Sequence, residues 1–122
     1  MKVFIASLIL LGILLLCIGV NYIYINEVFG KMTVLLEEVP EIGSEGCVDA
    51  AARLLAYWEP RADIVCLSVP YNAVDRVSEQ AALLLSCAEC GDIYGFCNAR
   101  TLLRDAISDM RRLEAFTLGN LL

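Results

Sequence analysis

The sequence predicts an all-α protein, with an N-terminal transmembrane helix continuing into an antiparallel up-and-down bundle of about four helices. Three observations carry this prediction. Val3 to Asn26 contains no charged residue. Beyond it, apolar residues recur in steps of three and four, the spacing of one helical face. The turn-forming residues Pro40, Gly43, Pro60, Pro70 and Gly91 then punctuate the chain at helix-length intervals.

The first element is the anchor, residues 1–25. Lys2 precedes an apolar body built from Val3, Phe4, Ile5, Leu8, Ile9, Leu10, Leu14, Leu15, Leu16, Ile18 and Val20. Tyr22 and Tyr24 follow where an interfacial aromatic belt sits. A helix needs about 20 residues to cross ~30 Å of hydrocarbon, and the run to Ile25 supplies them. A cleaved signal peptide is the rival reading, but no small-x-small site precedes the bulky Asn21-Tyr22-Ile23-Tyr24. A lipoprotein site at Cys17 is disfavoured by Leu16, where a small residue is required. Lys2 lies before the span, whereas Glu27, Glu37 and Glu38 follow it. The positive-inside rule therefore places the N-terminus in the cytoplasm and residues 26–122 outside.

The second part is the bundle, residues 26–122. Ile25, Val28, Phe29, Met32, Leu35, Leu36 and Val39 continue the first helix as far as Pro40. Pro40-Glu41-Ile42-Gly43 makes a turn, and Ser44 is the expected N-cap of helix two. That helix buries Cys47, Ala50, Ala51, Leu54, Leu55 and Trp58, and ends at Glu59-Pro60. Arg61–Ser68 reads as a buried connector. Helix three starts around Pro70, capped by Ser68 or Asn72, with a seam of Val74, Val77, Ala81, Leu84 and Ala88. Gly91 closes it, and Asp92 caps helix four, which runs to about Phe116. Its expected core is Phe96, Ala99, Leu103, Ala106, Ile107, Met110 and Leu113. Short turns make successive helices antiparallel, so the tail Phe116-Thr117-Leu118 and Leu121-Leu122 returns toward the bilayer.

Composition narrows the function classes. The chain has 122 residues, 59% hydrophobic against roughly 45–50% for soluble domains, and its mean hydropathy is +0.68. A net charge of −6 offers no basic face for a phosphate backbone, so nucleic-acid binding is excluded. With no histidine, triads, imidazole metal sites and the usual neutral-pH proton shuttle are missing. Glu37 and Glu38 are adjacent and point to different sides, which does not make a glycosidase pair. No Gly-rich phosphate loop occurs, and no cofactor is expected. An acidic body is also expected to stand away from an anionic membrane surface.

Cysteines are the one chemical constellation. Cys17 lies in the span and reads as a small apolar residue. The topology gathers Cys47, Cys87, Cys90 and Cys97 at the end of the bundle far from the membrane and leaves Cys66 at the near end. Three readings stay open. One or two disulfides there would each add ~2–4 kcal/mol in an oxidising exterior. A structural zinc site is a weaker fit, since only one Cys-x-x-Cys pair exists. Free thiols packed as small core residues are the third.

Tyr57-Trp58, the stretch Val69-Pro70-Tyr71-Asn72-Ala73-Val74-Asp75-Arg76-Val77, and Arg112 to Leu121 together resemble a Firmicutes family. It is the family of domain of unknown function 4363, short proteins with an N-terminal anchor. Many members carry a histidine near the start of helix three, where this chain has Tyr71-Asn72. The resemblance implies no known activity, and it suggests a neighbouring multi-pass membrane protein as partner. The expected function is that of a membrane-bound, non-catalytic scaffold or accessory subunit for a membrane protein. The alternatives are a thiol-based redox or metal module at the far tip, or a secreted bundle after signal cleavage.

Overall fold

A computed structural model describes residues 1–121, with side chains for residues 1–115. Among the described residues the chain is all-helical, with α1 (Lys2–Glu38), α2 (Cys47–Val65), α3 (Tyr71–Cys90) and α4 (Ile93–Leu121). The expected tail contacts of Phe116, Thr117, Leu118, Leu121 and Leu122 lie outside the described side chains.

Each helix ends for a local reason. Pro40 forces Val39 into extended backbone (φ −69°, ψ 115°), and α1 stops at Glu38. The cap of α2 differs from the expectation. Gly46, not Ser44, occupies the N-cap position, at φ 84°, and no side chain caps the helix. That left-handed turn is open to glycine at little cost, and it displaces the serine from capping register. Pro70, not Ser68 or Asn72, is the N-cap of α3, again without a side-chain cap. The α3–α4 junction follows the sequence reading. Gly91 adopts the left-handed conformation (φ 75°), and the Gly95 N–H donates to Asp92 Oδ1 at 3.0 Å.

α2 corrects the sequence reading most clearly. It runs through Pro60 to Val65 instead of ending at Glu59-Pro60, so Arg61–Val65 is helix and not a connector. Proline has no N–H to donate to the carbonyl four residues back. The next residue braces the turn. The Arg61 guanidinium donates to the Tyr57 carbonyl at 2.7 Å and lies 3.8 Å from the Tyr57 ring centroid. Val65 is fully buried, so packing of the last turn favours continuing the helix.

The four helices close into a ring in which α1 meets α2 and α4, and α3 meets α2 and α4. Their inner faces form one core. Ile25, Phe29, Met32 and Leu36 come from α1, Leu54 and Trp58 from α2, Val77 and Leu84 from α3, and Phe96, Leu103 and Met110 from α4. Burying a side chain of this size is worth about 1.5–3 kcal/mol. Leu113 departs from the expected core: it is exposed, and Glu114 takes the inward position instead. The seam steps from Leu103 to Ile107 and Met110, and the next inward step of four falls on Glu114.

α1 keeps going where the bundle stops. Its residues from Lys2 to Val20 leave the ring and remain exposed, apart from a half-buried Ile18.

Candidate functional site

Three regions of the molecule carry chemistry beyond core packing: the projecting apolar segment of α1, the far tip with its cysteines, and the end of the bundle beside the projecting segment.

The projecting segment is long and apolar enough to cross a membrane, and none of its apolar window is buried. Val3, Phe4, Ile5, Leu8, Ile9, Leu10, Leu14, Leu15, Leu16 and Val20 are all more than half exposed. Tyr22 and Tyr24 differ from these. Both are half-buried on the bundle, with Tyr24 packed against the core, and Ile25 is fully buried. Bundle packing therefore begins ahead of residue 26. Asn21 Nδ2 donates to Ser68 Oγ in the α2–α3 turn, a bridge that the sequence reading did not anticipate. Ile64 of α2 also closes an apolar groove of about 410 Å³ with Leu16, Cys17, Val20 and Tyr24.

At the far end, the antiparallel ring brings the start of α2 and the α3–α4 turn together, as the topology predicts. Cys47 and Cys87 are buried there, and Cys90 and Cys97 are exposed. Cys66 is half-buried at the opposite end, and Cys17 lies on the projecting segment. All six are free thiols in the structure. Among the described residues, no group of three or more cysteine and carboxylate side chains is placed to hold a metal ion. Burial pushes the Cys87 thiol above its ordinary value, and the nearby Asp92 and Cys90 add to the rise. Cys87 sits beside Gly95, where a Cβ would come within 2.8 Å of its sulfur.

The near end holds polar groups that the sequence reading did not single out. Glu114 is only 7% exposed, its Oε2 has no hydrogen-bond partner among the described residues, and burial raises its pKa. Between the start of α3 and the second half of α4 lies a cleft of about 690 Å³, lined by Pro70, Asn72, Arg76, Asp109 and Arg112 among others. Two guanidiniums share one carboxylate there: Arg76 Nη1 lies 3.4 Å from Asp109 Oδ2 and Arg112 Nη2 lies 2.5 Å from Oδ1. Elsewhere arginines fasten α4 to α1. Arg100 donates to the Val39 carbonyl, and Arg104 pairs with Glu37 at 3.3 Å. The Arg104 pair is exposed, so it contributes roughly 0–1 kcal/mol.

Comparison with known proteins adds no relative: no family model, no curated protein and no solved structure matches the chain.

Proposed function

We propose that the chain is a single-pass protein of the cell membrane, with its N-terminus in the cytoplasm and its bundle on the opposite side. In this reading the bundle is a non-catalytic scaffold or accessory subunit for a membrane-protein partner, such as a multi-pass protein. The observation that carries the reading is the contrast within α1. From Ile25 onward its inner face is sealed in a four-helix core, while the apolar residues before Asn21 stay uncovered. Such a surface is stable in hydrocarbon and unstable in water. Membership in the family of domain of unknown function 4363 belongs to the same proposal. Of the residues behind it, Trp58, Val69, Val74 and Val77 are core, whereas Tyr71 and Asn72 are exposed.

The test is cross-linking in intact cells followed by purification of the full chain in mild detergent. Recovery of a second membrane protein in comparable amount supports the scaffold reading. Recovery of the chain alone, with and without cross-linker, counts against it. Orientation is read separately with a membrane-impermeant maleimide directed at Cys90 and Cys97, which are exposed. Labelling of intact cells supports the bundle outside, and labelling only after permeabilisation reverses the orientation.

A further inference from the structure

We propose that the α2–α3 turn and the cleft behind it form a second membrane contact, docking the bundle on the phosphate-bearing headgroups of an anionic phospholipid bilayer. The inference rests on the reading of α1 as a membrane anchor, and it adds a surface that the anchor alone does not require.

Height along the bundle is the first argument. Asn21 is bonded to Ser68, and Ile64 faces Leu16, Cys17 and Val20 across the apolar groove. The turn that joins α2 to α3 therefore lies level with the last residues of the projecting apolar segment. A helix entering a bilayer along that segment carries the turn to the headgroup layer. The α1–α2 and α3–α4 turns are not so placed, because both lie at the far end.

The second argument is the chemistry of the turn. Leu67 is 83% exposed and Tyr71 is 73% exposed, the one suited to the acyl boundary and the other to the interface. Ile64 adds a third partly exposed apolar side chain on the same end. On a bilayer surface these side chains are anchors.

Charge is the third. In the cleft beside Pro70, Arg76 and Arg112 share the single carboxylate of Asp109, so the cluster of these three side chains carries one positive charge in excess. Guanidinium groups offer phosphate oxygens paired donors. Glu41, Glu45, Asp49, Glu89 and Asp92 belong to the opposite end, whereas Glu59, Asp63 and Asp75 share the near end with Arg61 and Arg111, so the positive excess is confined to the cleft. This departs from the expectation that an acidic body stands clear of an anionic surface. The relevant quantity is the charge within reach of a headgroup at the cleft, and a screening length of about 10 Å keeps the far tip out of reach.

The experiment uses the full chain carrying Leu67→Trp, reconstituted in vesicles of phosphatidylcholine alone or with phosphatidylglycerol, with brominated acyl chains as quencher. The native chain is the baseline, because its one tryptophan, Trp58, is buried in the core. Docking predicts that Leu67→Trp emission is blue-shifted and quenched in phosphatidylglycerol vesicles, well beyond the native chain. Adding Arg76→Gln or Arg112→Gln should lower the docked fraction relative to the undocked by about fivefold for each arginine removed. If Leu67→Trp is quenched equally in vesicles with and without phosphatidylglycerol, or if inorganic phosphate added to phosphatidylcholine vesicles reproduces the phosphatidylglycerol response, the anionic-lipid assignment is overturned. If the chain floats with the vesicles but Leu67→Trp is quenched no more than the native chain, the docking surface is overturned and the anchor stands. If the chain does not float with the vesicles, the anchor reading fails and docking fails with it.

Discussion

The Trp58 indole N–H donates to Ser78 Oγ at 2.8 Å, and Ser78 Oγ in turn donates to the Val74 carbonyl at 3.3 Å. This relay joins α2 to α3 at a point where Trp58 has no exposed surface, so the indole N–H has no recourse to water. Ser78→Ala strands a buried donor and is expected to cost about 1–3 kcal/mol. Trp58→Phe loses the hydrogen bond and opens a cavity, at a cost of about 2–4 kcal/mol. Denaturant unfolding in mild detergent measures both. The double variant should cost less than the two single changes combined, because each removes the same bond.

Glu114 makes stability depend on pH with a definite sign. Burial raises its pKa above the ordinary 4.5, so the folded chain binds its proton more tightly than the unfolded one. The contribution is fully present below 4.5 and is lost as pH rises through the folded value. Glu114→Gln, which stays uncharged, should match the native chain in acid and exceed it at neutral pH. Thermal unfolding followed by circular dichroism across that range tests this. A parallel pH dependence in both proteins would show that Glu114 ionises freely in the folded state.

Gly95 is held by close approach. A Cβ there would lie 2.5 Å from Asp92 Oδ2 and 2.8 Å from Cys87 Sγ. Gly95→Ala should therefore displace the carboxylate that caps α4, a cost of about 1–2 kcal/mol that the better helix propensity of alanine, about 0.5–1 kcal/mol, offsets in part. Cys87→Ala in the same chain removes the sulfur and should recover part of that loss. Unfolding midpoints of the two variants, compared with Cys87→Ala alone, provide the check.

Thiol reactivity should follow burial. In the folded protein Cys90 and Cys97 react readily, Cys66 more slowly, and Cys47 and Cys87 only on opening of the bundle. Cys87 is slowed twice, by burial and by its raised pKa. Mass spectrometry of maleimide adducts over time gives the order, and unfolding in denaturant should release the bundle cysteines together.

Much of the fold was legible because three- and four-residue spacing maps directly onto the inner face of each helix. Val74, Val77, Ala81 and Leu84 are buried as that spacing requires, and Gly91-Asp92 closes one helix and caps the next. Most of the misses share a cause, local propensity yielding to interactions distant in sequence or dependent on side-chain reach, and Leu113 is the exception. Pro60 signals a stop, yet the buried Val65 and the Arg61 contacts with Tyr57 carry α2 onward. Leu113 looked inward by residue type, whereas helical phase turns Glu114 inward. The gathering of Cys47, Cys87, Cys90 and Cys97 at one end followed from topology alone. The Asn21–Ser68 bridge and the Arg76–Asp109–Arg112 cluster did not, since each depends on residues far apart in the chain that are ordinary in isolation.

α1 is one unbroken helix from Lys2 to Glu38, without proline or a turn where it leaves the bundle. It behaves as a driveshaft. Each face of the projecting apolar segment is locked in azimuth to the face of the bundle that carries Leu67 and Tyr71. One residue inserted between Val20 and Asn21 would turn the projecting segment by about 100° against the bundle while leaving every core contact in place.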